Sequence, residues 1–191
     1  MKARRNSVTI WAPFLGGPMN CVERSSACVA AESKVFEVLK SQGIEYTNYP
    51  HNPVLTCADK IDVEIPAPAV KNLFLKDNKG GFWLIAALEE TQISFKSVAK
   101  ILRVGSLRFA DEKALTEHLG VKAGAVTIFG LINDAQKKVT PIIDASILQS
   151  EKTRFHPLHN EATTVIASKD LVKFVQCLGR ELRILTPKEL T

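Results

Sequence analysis

A regular hydrophobic pattern begins at Ala30. "AAESKVFEVLKSQG" places Val35, Phe36, Val38 and Leu39 at helical spacing and closes on Gly43, a suitable helix terminator. "IEYTNYP" then reads as a strand up to Pro50, and "CADKIDVEI" carries a weaker helical pattern ended by Pro66. "AVKNLFLKD" and "GFWLIAAL" predict two strands joined by the turn-rich "DNKGG", an antiparallel hairpin. "SFKSVAKIL" and "DEKALTEHLG" predict short helices, the second with Asp111 as its cap. "AVTIFGLI", "KKVTPIID" and "ATTVIAS" predict further strands. "KDLVKFVQCLG" predicts an amphipathic helix, and "LRILT" a last strand.

Strands and short helices alternate without a regular βαβ rhythm, and the hairpin implies antiparallel pairing. The fold class expected is therefore α/β: one domain with a twisted, mixed and largely antiparallel sheet surrounded by short helices. Residues 1–28 fall outside the pattern. They hold basic residues, no acid before Glu23, and the breaker cluster Gly16–Pro18. We expect a disordered N-terminal extension over 1–28 and the folded domain over 29–191. The alternative reading of the extension is an organellar transit peptide; without one, the expected location is cytoplasmic.

Composition narrows the partners. Apolar residues make up 46% and charged residues 24%, a balance that excludes disorder and fibre classes for the chain as a whole. No apolar run reaches the roughly 20 residues that span a bilayer, so no membrane partner is expected. The formal net charge of +5 admits a nucleic acid. Of that charge, +3 sits before residue 31, which leaves only +2 on the domain. The four cysteines, Cys21, Cys28, Cys57 and Cys177, form no C-x-x-C pair, so neither a zinc site nor a disulfide framework is expected. Without a glycine-rich phosphate loop, no nucleotide cofactor is expected either.

Three places could carry chemistry. As a strand, "AVKNLFLKD" puts Lys71 on one face with Leu73 and Leu75, and Asn72 on the other with Val70 and Phe74. An inward lysine must meet an anion or line a cavity, although an edge strand could let its stem reach water instead. Gly124 precedes an apolar run, where glycine permits a close approach of backbone to ligand or a simple turn. In "FHPLHN", Pro157 restricts His156 to extended backbone, and a histidine so held could orient water or donate to an oxyanion. A lone histidine is more often structural; His159 has less to mark it. Cys57 with His51 nearby is better read as a small buried hydrophobe than as a nucleophile. The sequence has no G-x-S-x-G elbow.

In order, "PHNPVLT", "VKNLFLKD", "WLIAALEET", "GAVTIFGLIND" and "FHPLHNEATT" resemble the YbaK/ProX superfamily of aminoacyl-tRNA editing domains. The resemblance covers about residues 30 to 186. It is nearest to free-standing deacylases of Ala-tRNA(Pro), the relatives of the bacterial prolyl-tRNA synthetase insertion domain. The resemblance implies a trans-editing hydrolase with the tRNA(Pro) acceptor end as partner, a prolyl-tRNA synthetase as a transient one, no DNA, no cofactor and no metal. The family's lysine falls on Lys71 with Asn72 beside it, its glycine loop on Gly124, Ala125, Val126, Thr127 and Ile128, and the histidine of its "HP" motif on His156. Lys71, Gly124 and His156 are thereby the implied catalytic residues. Asn72, Ala125 to Ile128, Pro157 and Asn160 are the implied substrate-binding ones. Insertion-domain relatives usually carry proline where this chain has Ile128. A Cys-tRNA(Pro) deacylase and a non-catalytic tRNA- or amino-acid-binding module are the alternatives.

Overall fold

A computed structural model of the protein describes residues 25–54 and 61–191. The expectation for residues 1–24, Cys57, and the first half of the weak helix "CADKIDVEI" lie outside the described residues. Helices are α1 (Ser26–Ser41), α2 (Phe95–Leu102), a single turn α3 (Glu112–Ala114) that widens over Leu115–Leu119, α4 (Ser168–Cys177) and α5 (Pro187–Leu190). Strands are β1 (Tyr46–Pro50), β2 (Val70–Asp77), β3 (Phe82–Leu88), β4 (Leu107–Phe109), β5 (Val139–Asp144), β6 (Lys152–Phe155), β7 (Ala162–Ala167) and β8 (Arg183–Leu185). Helix α1 starts at Ser26 with Ser25 as its N-cap, so its first turn precedes the boundary expected at residue 29.

The strands form two sheets rather than the one expected. The smaller is antiparallel in the order β1-β7-β6; the larger is mixed in the order β4-β2-β3-β5-β8, parallel only at β3–β5 and β5–β8. The β2–β3 hairpin pairs Lys71 with Ala87 and Asn72 with Ala86. Its turn is organised by Asp77, whose carboxylate accepts from the amides of Lys79 and Gly81 and from the Trp83 indole.

Alternation along the larger sheet separates two cores. Phe74, Leu84, Ala86, Val139 and Ile143 face α1, α4 and the smaller sheet, while Leu75, Ile85, Ala87 and Ile142 face α2 and α5. Both faces being covered, the strands read as near-continuous apolar runs. Lys71 therefore starts on the α2 side of the sheet and Asn72 on the α1 side.

Two segments depart from expectation. "AVTIFGLI" is not a strand: Ile128–Ile132 is a short 3-10 helix capped by Thr127, whose hydroxyl accepts from the Phe129 amide. Ile128, Phe129 and Leu131 are all buried, so a run that is apolar all round fits a buried helical turn as well as a strand. Residues 61–65, the described part of the weak helix, are irregular and lead to Pro66.

Candidate active site

A cavity of about 400 Å³ opens between the start of β2 and the smaller sheet. Four elements supply most of its lining, to which Val54, Ile61 and Glu89 also contribute. Strand β2 supplies Val70, Lys71, Asn72 and Leu73; the glycine loop supplies Gly124 and Val126; β6 and its exit supply Arg154, Phe155 and His156; Thr163 comes from β7. Of the residues implied by the sequence, Lys71, Asn72, Gly124, Val126 and His156 line it together. Ala125, Thr127 and Ile128 are buried behind the loop, and Pro157 and Asn160 do not line the cavity.

Lys71 is held by the segment after β3. Its ammonium donates to the carbonyl of Glu89 at 2.9 Å and to that of Thr91. The Thr91 hydroxyl in turn donates to buried Asp144 at 2.6 Å. An ammonium has three donors, so one remains for a ligand. Beside it, the side-chain oxygen of Asn72 is buried and accepts no hydrogen bond. A buried acceptor left unpaired costs stability, and a donor entering the cavity would satisfy it.

Gly124 has φ 84°, a left-handed conformation that disfavours any side chain. The Ala125 amide is spent on Lys122 O at 3.1 Å, so it is not a donor for a ligand. Among the described residues, the amides of Gly124, Val126 and Thr127 give no bond to a backbone carbonyl.

The turn after β6 fixes His156. Leu158 has φ 70°, rare for a branched side chain, and is held there by burial in the main core. The Asn160 side-chain amide donates to Val54 O at 2.7 Å and its backbone carbonyl accepts from the Val54 amide, so it ties the turn to the Val54 wall of the cavity. Burial lowers the His156 pKa to about 4, helped by His51, His159 and Arg154, and a hydrogen bond with the Gly124 backbone opposes the shift in part. The ring is neutral at pH 7.

Sequence reasoning missed three groups here and weighed a fourth, His51, only as a neighbour of Cys57. Arg154 and Glu89 line the cavity, and Thr163 joins it to buried His51, whose Nε2 lies 2.9 Å from the Thr163 hydroxyl. The His51 Nδ1 lies 2.8 Å from Asn52 O, so the proton belongs there and Nε2 accepts. Arg154 directly precedes the stretch "FHPLHNEATT" and has no local signal of its own. The rest meet only through strand pairing.

His159 is structural. Its Nε2 lies 3.0 Å from buried Glu32 of α1, and its Nδ1 accepts from the Glu161 amide at 3.1 Å. Ligand atoms of Cys28, His159 and Glu161 come within 4.8 Å of one another, but both imidazole nitrogens are already committed, which argues against a metal there.

The sequence model of the aminoacyl-tRNA editing domain matches residues 51–174. The prolyl-tRNA editing protein ProX of Acetoanaerobium sticklandii is 34% identical over 158 residues, which cover 81% of this chain and 96% of that protein. The prolyl-tRNA synthetase associated domain-containing protein 1 of Bos taurus is 42% identical over 120 residues, 60% of this chain and 70% of its own. In fold, the chain superposes at a TM-score of 0.61 and 17% identity on a crystal structure proposed to be a trans-editing enzyme for prolyl-tRNA synthetase, covering 81% and 96% of the two chains.

Proposed function

The chain belongs to the aminoacyl-tRNA editing domain family, and from that premise we propose that it hydrolyses the aminoacyl ester of mischarged tRNA(Pro), with alanine the amino acid removed. The relative ProX, named a prolyl-tRNA editing protein, supports the tRNA. The observation that carries the reading is the convergence of Lys71, Arg154, Gly124 and a neutral His156 on one cavity with apolar walls.

Alanine is smaller than proline, so a synthetase pocket shaped for proline cannot exclude it, and each missing methylene gives only about 1–3 kcal/mol of discrimination. A second, smaller site corrects the error. Val70, Leu73, Val126 and Phe155 give walls suited to a short aliphatic side chain.

In our mechanism the cations of Lys71 and Arg154 hold the 3′-terminal nucleotide by its phosphate or ribose. The unpaired oxygen of Asn72 accepts from the α-ammonium of the aminoacyl group. Water attacks the ester carbonyl, and free amides of the glycine loop bind the oxygen as it becomes an oxyanion. The carbon–ribose oxygen bond then breaks. The water oxygen leaves in the alanine carboxylate, one of its protons passes to the ribose oxygen, and the other reaches solvent. With a pKa near 4, His156 is too weak a base to take that proton efficiently at pH 7, so it orients water by its lone pair. The vicinal 2′-hydroxyl of the tRNA assists proton transfer. An activated ester needs no protein nucleophile.

Deacylation of Ala-, Cys- and Pro-tRNA(Pro), each with the Lys71→Ala protein alongside, tests this. Loss of alanine alone, abolished by the substitution, is expected. Faster loss of cysteine would move the specificity to that amino acid. Binding without turnover would make the chain a binding module, and full activity of Lys71→Ala would overturn the assignment of the lysine.

A further inference from the structure

Between Gln92 and Ala110 the chain carries Lys96, Lys100, Arg103 and Arg108 and no acidic residue. The fold gathers these at one end of the larger sheet. Lys96 and Lys100 are four apart on α2 and both exposed, so like charges sit side by side on the helix surface. Arg103, the next charged position along, ends the helix in a left-handed conformation (φ 58°) where glycine is the favoured residue. On the edge strand β4, exposed Arg108 lies directly opposite Lys76 of β2, a second like-charge pair, which points to the sheet face away from α2. The nearest acid in that ladder, Asp77, is buried and fully occupied by the hairpin turn. Among the described residues none of these five cations is in an ion pair.

An aromatic platform stands on the α2 side of the sheet. Phe109 is 64% exposed and packs edge-on against Phe95 at 5.3 Å, leaving a ring face to solvent. A groove between α2 and β4 runs past it, lined by Phe95, Lys96, Lys100, Ser106 and Leu107. Phe109 pairs with Leu75, on the same sheet face as Lys71 and four residues away, roughly 13 Å at the strand rise. The segment that holds Lys71 by its Thr91 carbonyl leads within a few residues into Ser94, the cap of α2.

We propose that the α2–β4 edge is an RNA-docking surface that receives the acceptor end of the tRNA, with Lys96, Lys100 and Arg103 on phosphates and Phe109 under an unpaired base. The Lys96–Lys100 pair on α2 is an uncompensated repulsion in the free protein, and a polyanion on that face relieves it. An exposed aromatic ring is the partner a base adds to that requirement, and an acidic protein surface gives it no comparable stack. This inference rests on the function proposed above, and it names the surface that delivers the ester to the cavity.

The test uses the full chain, an uncharged tRNA(Pro) and its alanyl ester. Affinity is measured by fluorescence anisotropy across salt, and kcat at saturating substrate. Lys96→Glu with Lys100→Glu is expected to weaken binding and to lower the slope of log K against log salt by about two, with kcat kept within roughly twofold. Phe109→Ala should weaken binding by roughly tenfold without changing that slope. Lys169→Glu with Lys173→Glu, the same spacing on α4 against the other core, should leave binding unchanged. Wild-type slope and affinity in the α2 and Phe109 variants, with turnover intact, would overturn the docking surface alone. Weakening equal to that of the α4 variant would reduce the effect to net charge and overturn it too. Failure of the wild-type protein to bind or hydrolyse the tRNA would instead remove the functional reading beneath it.

Discussion

At His156 the fold keeps an imidazole neutral, and that has a cost that can be measured. Its pKa is lowered from 6.5 to about 4, so between those values the unfolded chain binds a proton that the folded one does not. Stability contributed by the neutral ring is therefore complete above pH 6.5 and lost progressively as pH falls to 4, by about 3 kcal/mol for a shift of this size. His156→Gln should remove that loss: relative to wild type, the variant gains stability between pH 7 and pH 4 in denaturant titrations. Activity of the wild type should show no inflection near pH 6.5, because the folded ring does not titrate there. Asn72 makes the opposite trade. Its buried, unpaired oxygen is a defect in the empty protein, costing about 1–3 kcal/mol. Asn72→Leu, with the same branching and number of side-chain heavy atoms, is expected to leave the protein as stable or more so while KM for the aminoacyl ester rises, which thermal melts and steady-state kinetics would separate. A melt that falls with unchanged KM would make Asn72 a structural residue.

Elements differ in how much of them the chain announces. The β2–β3 hairpin was legible because "DNKGG" separates two apolar runs, and Asp77 and Asp111 do the local work their positions suggest. Lys71, Gly124 and His156 are implied only by the resemblance of the strings around them, and the three share one cavity. The run "AVTIFGLI" misled because a segment buried on all sides has no period to read. Strand β6 was missed because Lys152–Phe155 is four residues long and exists by pairing with β7, a contact invisible locally. Arg154 and Thr163 were missed for the same reason. The glycine loop depends on a distant anchor as well. Asp134, just beyond the 3-10 helix, pairs with Arg180 at 2.9 Å, both buried, and Arg180 also donates to the carbonyls of Val139 and Leu131. Asp134→Ala leaves that guanidinium without its counter-charge and should destabilise by about 3–5 kcal/mol. Because the segment continues into Gly124, kcat should fall even where the variant remains folded, and turnover measured well below its melting point would reveal it.

Across the whole molecule one sheet separates two cores, and the cavity exists only where that sheet meets the smaller one. Phe74 and Leu75 are neighbours in the chain, yet the first packs toward α1 and α4 and the second toward α2 and α5. Neither core can dissolve without exposing a face of the strands that the other needs. The protein should therefore unfold in one transition. Phe174→Ala in the main core and Leu75→Ala in the second, both fully buried, should cost about 3–5 and 2–5 kcal/mol respectively. At about 2–4 °C per kcal/mol for a domain of this size, each should lower the same single melting temperature by several degrees or more. Far-UV and near-UV circular dichroism followed together would check this. Coincident curves in both variants fit a shared sheet. A Leu75→Ala protein that lost its α2–α5 side at low temperature, while the main core melted at the wild-type temperature, would mean that the two cores are independent. In that case the docking edge on α2 could loosen without disturbing the residues that surround the ester.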